Sequence, residues 1–234
     1  MYQIEDLEGK IINADCMDIL KQMPDNSVDC VFTDLPYKQE FHGRGMCRTR
    51  PNYLKINEYG SNKDLDYTEL FSICWKKLKK KNFFSFCDKE TKYELITIAK
   101  QYGFGYKELC FCKTSPTPFC NNQWLPDVEY GVHIFKDLEV MGDYKTKRSF
   151  WVMANFKEEG QTHPTAKKVS VCEQILENIT RGGDLVLDPF GGSGTTAIAC
   201  HRLKRRFICI EKDKEYWQKS CERLKWEQAT PQLF

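Results

Sequence analysis

Apolar positions along the chain follow two alternating rhythms. Short runs, several of them apolar throughout, occur at KIINAD (10–15), VDCVFTD (28–34), NFFSFCD (82–88), KELCFCK (107–113), VEYGVHIFK (128–136), DLVLD (184–188) and RFICIE (206–211). Runs of this length predict strands, and the continuously apolar ones predict strands covered on both faces. Between them the period lengthens. Residues 67–80 bring Leu70, Phe71, Cys74, Trp75 and Leu78 to one side, and residues 168–180 carry a stripe of Val171, Ile175, Leu176 and Ile179 closed by Gly182 and Gly183. Residues 89–101, 194–203 and 213–226 continue the helical pattern. Strands alternating with helices predict an α/β fold, a mostly parallel sheet with helices on both faces.

Three stretches break the alternation: 38–66, polar and basic; 114–127, rich in proline; and 138–162, which contains GDYKTKRSFW. Loops this long in a compact domain are usually functional or disordered. All three are expected at one end of the sheet. With no linker-like segment, the chain reads as a single domain over 1–234, with 38–66 and 138–162 as insertions. The lysine run KKLKKK (76–81) reads as a solvated helix end.

Composition narrows the class. The 234 residues are 41% hydrophobic and 29% charged, as in an ordinary globular protein. A net charge of +2 gives no bulk electrostatic case for nucleic acid, so any basic surface must be local. The 12 cysteines sit mostly in apolar runs and none forms C-x-x-C. They are expected to be buried thiols in a reducing compartment, with no metal site. The N-terminus MYQIEDLEGK is no secretory signal and no run is long enough to span a membrane, which predicts a cytoplasmic protein.

The first chemical signal is DLVLDPFGGSGTTAIACHRLKRRFICIE (184–211). A strand ends at Asp188, Gly191, Gly192 and Gly194 turn the chain into a helix, and the next strand ends at Glu211. Glycines let backbone N–H groups approach a ligand, and an acid about 20 residues on can hold ribose hydroxyls. Such a unit suits NAD or S-adenosylmethionine. Only one helix and a short tail follow Glu211, so the remaining strands must come from the N-terminal part. KIINAD is expected next in the sheet and VDCVFTD after it, as in a circularly permuted domain. The second signal, TDLPY (33–37), then falls at the carboxyl end of a strand near the nucleoside, where open α/β sheets bind ligands.

Together these motifs resemble those of the DNA amino-methyltransferases, and among them the permuted beta group, in which the catalytic motif precedes the cofactor motif. DLPY (34–37) resembles D-P-P-Y, and DPFGGSGTT (188–196) resembles D-P-F-x-G-S-G-T-T. HPTAKK (163–168) resembles H-P-T-x-K-P, FCKTSPTPF (111–119) a K-x-x-P loop, and NADCMDIL (13–20) the stretch that opens the chain in this group. FICIEKDKEYWQKSCERL (207–224) is similar to the acid-bearing strand and its helix. The resemblance covers nearly the whole chain. Leu35 stands where the family has its first proline, which adds an N–H, and Lys168 replaces a closing proline.

The resemblance implies a Rossmann-like, S-adenosylmethionine-dependent fold and methyl transfer to the exocyclic N6 of a flipped-out adenine in double-stranded DNA. Cytosine N4, RNA adenine, and a non-catalytic DNA-binding relative are the alternatives. In that family Asp34 and the Leu35 carbonyl accept the amine's two N–H bonds, Pro36 stiffens the turn and Tyr37 stacks on the base, with Phe41 or Trp124 on its other face. Phe190, Gly192, Ser193 and Thr195 line the methionine end above Asp188, and Asp34 borders it. Glu211 holds the ribose, and Asp15 and Cys16 meet the adenine ring of the cofactor. His163, Thr165 and Lys167 form an arm over the methionine carboxylate. Candidate DNA contacts are Arg44, Arg48 and Arg50, then Lys145, Lys147 and Arg148, with Asn121 and Asn122 reaching base edges. So small a recognition region implies a short target or a second subunit in a homodimer. A bacterial or phage origin fits this group.

Overall fold

A computed structural model describes residues 2–36, 65–114, 124–125, 127–153 and 167–230. In chain order the strands are β1 (Lys10–Asn13), β2 (Cys30–Asp34), β3 (Asn82–Cys87), β4 (Gly105–Lys113), β5 (Val128–Phe135), β6 (Phe150–Met153), β7 (Leu185–Asp188) and β8 (Arg206–Glu211). The helices are α1 (Ile4–Leu7), α2 (Cys16–Gln22), α3 (Tyr67–Lys77), α4 (Lys89–Gln101), α5 (Val169–Ile179), α6 (Thr195–Arg202) and α7 (Lys214–Ala229). The strands form one eight-stranded sheet in the order β1-β8-β7-β2-β3-β5-β4-β6. β5 pairs antiparallel with β3 and β4, and every other pairing is parallel.

Both faces of the sheet are covered, as the apolar runs require. Along β2, β7 and β8 alternate residues enter two separate cores. Val31, Leu185, Leu187, Ile208 and Ile210 pack with α2, α3 and α4. Cys30, Phe32, Val186, Phe207 and Cys209 pack on the other side with α5, α6 and α7. Leu70 and Leu176, which the helical stripes place inward, are 2% and 0% exposed. Burial of each contributes about 1.5–3 kcal/mol. The carboxylates of Asp15, Asp66, Asp88 and Asp213 accept first-turn N–H groups and so start α2, α3, α4 and α7. Each such cap contributes about 1 kcal/mol.

Four expectations are corrected. First, β1 does lie beside β8, but β2 lies on the far side of the pair, against β7. The chain crosses under β8 and β7 through α2, which makes β7 and β2 the switch point of the sheet. Second, the stretch 138–162 is not all loop, because Phe150–Met153 forms the edge strand β6. Third, the irregular stretches do not share one end. The reversed strand β5 carries the chain to the end where the parallel strands begin. There residues 141–146 dock on the last turn of α5: Met141 N donates to the Asn178 carbonyl, and Asn178 Nδ2 to the Thr146 carbonyl at 2.7 Å. Fourth, the lysine run is not simply solvated. Lys77 is 6% exposed and donates to the Met23 carbonyl and to Asp25, and Lys80 pairs with Asp184 at 3.0 Å. Those contacts lie where β2 and β7 begin.

Among the described residues no helix is long and apolar enough to cross a membrane. Of the cysteines expected inside, Cys30, Cys74, Cys87 and Cys209 are buried, while Cys110 and Cys112 on β4, near the sheet edge, are half-buried.

Candidate active site

The carboxyl ends of β7 and β2 meet at the switch point, and a hydrogen bond joins them. Thr33 Oγ1 donates to Asp188 Oδ1 at 2.7 Å, fully buried. The same oxygen receives the Phe190 N–H at 3.0 Å, and the Thr196 hydroxyl also bonds this carboxylate. Burial pushes the Asp188 carboxyl up to about 6. The three donors pull it back, and the nearby Asp34 charge adds to the rise. Asp188 therefore organises the loop from beneath.

The glycine loop folds back on itself. Gly191 N donates to the Ile210 carbonyl and Gly194 N to the Gly191 carbonyl. Gly192 N donates to Glu211 Oε2 at 2.8 Å, and Asp213 N to Glu211 Oε1 at 2.7 Å. These glycine N–H groups are therefore engaged within the protein, whereas the sequence suggested that they approach a ligand. The backbone N–H groups of Gly192, Asp213 and Lys212 hold Glu211 in one orientation. Burial raises the Glu211 carboxyl above the ordinary range. Glycine is required for shape at two positions. A Cβ on Gly194, at φ 77°, would stand 3.0 Å from Ser220 Cβ, and one on Gly191 would stand 3.2 Å from Cys209 Cβ. Close packing of the loop on β8 and α7 thus excludes side chains. Arg223 of α7, which sequence patterns did not single out, donates to the Ser193 carbonyl and to Thr195 Oγ1, both at 3.1 Å.

Asp15 caps α2 by accepting from Met17 N at 2.9 Å, and Lys212 donates to its other oxygen at 2.8 Å. The Lys212 bond is the main reason its carboxyl lies below the usual value. Cys16 is buried, which pushes its thiol up to about 12. Both lie at the carboxyl end of β1, beside Glu211 in register with Asn13. An acid held by backbone donors, a tight glycine turn and an adjoining polar cap suit the ribose, methionine and adenine parts of S-adenosylmethionine.

The turn that follows β2 is fixed from three directions. Leu35, 2% exposed, packs in the core below β2. Its N–H, absent from a proline, donates to the Phe86 carbonyl at 3.2 Å and extends the β2–β3 ladder by one bond. The departure from the family pattern therefore adds an anchor. Tyr67, the first residue of α3, donates its hydroxyl to the Pro36 carbonyl. Lys167 Nζ lies 3.0 Å from Asp34 Oδ2 and 3.4 Å from Glu129 Oε2. The structure thus places Lys167 on Asp34. Glu129 also pairs with Lys113. Tyr67 and Glu129 were not legible as site residues because their partners lie far away in sequence, and Lys113 stood in the K-x-x-P stretch with no partner assigned to it.

Other candidates separate. Trp124 is 98% exposed, near the Lys113–Asp127 backbone bond at the site end of β4. Lys145 and Lys147 flank the Thr146 contact with α5 and so lie at the opposite end of the sheet from Asp34; Arg148 lies between them and β6 in the chain. Tyr37, Phe41, Arg44, Arg48, Arg50, Asn121, Asn122, His163 and Thr165 lie outside the described residues.

A permuted doubly wound sheet with a glycine loop, an acid at the end of the next strand and an acid-bearing turn at its switch point is the arrangement of a Rossmann-like, nucleoside-binding fold. A sequence profile of the family described as DNA methylase, covering N6 and N4 amino-methyltransferases, matches residues 28–222. The chain belongs to this family, and its cofactor is S-adenosylmethionine. Type II methyltransferase M.HinfI of Haemophilus influenzae is 27% identical over 97% of this chain and 71% of its own length. The crystal structure of the M1.HpyAVI–S-adenosylmethionine complex is 26% identical with a TM-score of 0.69, covering 92% of this chain and 99% of that one. The PvuII cytosine-N4-specific DNA methyltransferase shares the fold: TM-score 0.69 at 17% identity, covering 97% of this chain and 90% of that one.

Proposed function

We propose that this DNA methyltransferase acts on the exocyclic N6 of an adenine flipped out of the duplex. The observation that carries the proposal is the Thr33–Asp188 bond, which seats the acid-bearing turn directly beside the cofactor loop. An aspartate opening the turn favours adenine, since in the family serine is commoner where cytosine N4 is methylated.

The exocyclic amine is a weak nucleophile because its lone pair is delocalised into the ring. Asp34 and the Leu35 carbonyl accept its two N–H bonds, which favours a pyramidal nitrogen with its lone pair aimed away from the acceptors. S-adenosylmethionine supplies the electrophilic methyl. The anchors on Leu35 N and the Pro36 carbonyl hold these acceptors still, and Tyr37 is the ring assigned to the base face. No strong base is needed, because the proton becomes acidic as the N–C bond forms. A duplex buries this amine, so the base must leave the stack.

Incubation with tritiated S-adenosylmethionine and mixed-sequence duplex DNA, followed by nucleoside mass spectrometry, tests the proposal. N6-methyladenine is expected. N4-methylcytosine replaces the target base, and label confined to RNA replaces the substrate. Asp34→Ala should abolish transfer, and retained turnover would remove Asp34 from its role.

A further inference from the structure

Four charged side chains near the reactive turn alternate in sign: Lys113, Glu129, Lys167 and Asp34. They come from four separate parts of the fold. Asp34 ends β2, Lys113 ends β4, Glu129 is the second residue of β5, and Lys167 precedes α5. The reversal of β5 is what brings Glu129 to this end of the sheet. Asp34 pairs with Phe86 and Phe86 with Gly131, so Glu129 lies one strand period beyond the level of Asp34, on the same face as Gly131.

Lys167 is the least exposed member, with 11% of its side chain accessible against 31% for Glu129 and 32% for Asp34. Its ammonium also stands 5.3 Å from the Phe86 ring centroid. An ammonium so withdrawn from water needs close counter-charge, and two carboxylates serve it better than one. Glu129 supplies the second. Burial pushes its carboxyl up, but the charges of Lys167 and Lys113 outweigh this and hold it at about 2. Glu129 is therefore charged across the working range of pH.

We propose that Glu129 is a positioning residue for methyl transfer: it seats Lys167, and Lys167 fixes the Asp34 carboxylate in the orientation that meets the target amine. This rests on the assignment of Asp34 as acceptor of that amine. A carboxylate at a strand end turns about two side-chain bonds. An ammonium on Oδ2 selects one setting of a carboxylate that has about four acceptor sites in all. Without Glu129, Lys167 loses one of the two carboxylates it stands between, and the Asp34 carboxylate is drawn toward the lysine and away from the amine.

Glu129→Gln keeps the shape and an oxygen for Lys167 but removes the charge. It should lower the single-turnover rate of DNA methylation about tenfold, with affinities for S-adenosylmethionine and DNA changed less than about twofold. Glu129→Asp, which restores the charge, should recover most of the lost rate. The melting temperatures of both variants, measured in parallel, should stay near that of the parent. A wild-type rate in Glu129→Gln overturns the inference, and so does a loss that Glu129→Asp shares in full or that follows cofactor affinity or melting temperature. A parent protein that places no label in DNA strikes down the function itself, a result separable from every outcome for the variants.

Discussion

Thr33 and Asp188, 155 residues apart, share a buried 2.7 Å hydrogen bond that ties the strand of the reactive turn to the strand of the glycine loop. The two motifs thus form one mechanical unit, although one lies near the start of the chain and the other near its end. Asp188 serves the site by position, since its oxygens are taken by Thr33, Thr196 and the Phe190 N–H.

Thr33→Val should be felt in both motifs. It keeps the shape at 1% exposure while withdrawing one donor from a buried carboxylate. A cost of about 1–3 kcal/mol is expected in denaturant unfolding, together with weaker S-adenosylmethionine binding by calorimetry. Unchanged stability would mean that the bond contributes nothing net.

The glycine positions should rank by their surroundings. Gly194→Ala combines φ 77° with a 3.0 Å approach to Ser220, whereas Gly192→Ala at φ 50° meets nothing closer than the Phe190 carbonyl at 3.8 Å. The first should cost more than the second, which carries about 1–2 kcal/mol of backbone strain alone. Paired thermal unfolding of the two variants checks the order, and the reverse order would refute the packing account.

Two buried groups should bend the pH dependence of stability in opposite senses. His133 is buried, with Nε2 3.0 Å from Asn82 Oδ1, and burial lowers its value to about 4. Its unfolded value is 6.5, so the unfolded chain binds more protons between pH 4 and 6.5 and stability falls as the solution is acidified. Asp188 stands at about 6 against 3.8 unfolded, so in its window the native state binds more protons and stability falls as pH rises. Each effect is at most about 3 kcal/mol, and together they largely offset. Relative to the parent, His133→Gln should therefore gain stability on going from about pH 7 to 4.5, and Asp188→Asn should lose it, as read from urea midpoints. Parallel shifts in the two variants would contradict these assignments.

Much of the fold could be read in the sequence because β2, β7 and β8 are apolar on both faces, and few other arrangements bury such strands. The place of β2 could not. Nothing local to VDCVFTD says that the crossover from β1 passes two strands rather than none. The strand β6 is four residues at the sheet edge, with Phe150 and Val152 exposed, and its sequence lacks the pattern of burial that marks the others. In the site, Asp34, Asp188 and Glu211 stood out because each ends an apolar strand. Lys167 stood out for the cofactor, and its place beside Asp34 and Glu129 was not legible, because that depends on a reversed strand bringing Glu129 to this end of the sheet. Asp15 shows the converse: a residue chosen for cofactor contact is also a helix cap, and capping alone explains an aspartate at that position.

The bond from the Tyr67 hydroxyl to the Pro36 carbonyl has a consequence for how such an enzyme diversifies. The chain leaves the sheet at Pro36 and re-enters a helix at Tyr67, and these two residues touch, so whatever lies between them hangs from a clasped neck. Closing such a segment depends weakly on its length, about 0.6 kcal/mol for each doubling. Sequence between the two residues can therefore be lengthened, shortened or replaced with little strain reaching Asp34. Change in that stretch is thereby uncoupled from the geometry at the end of β2.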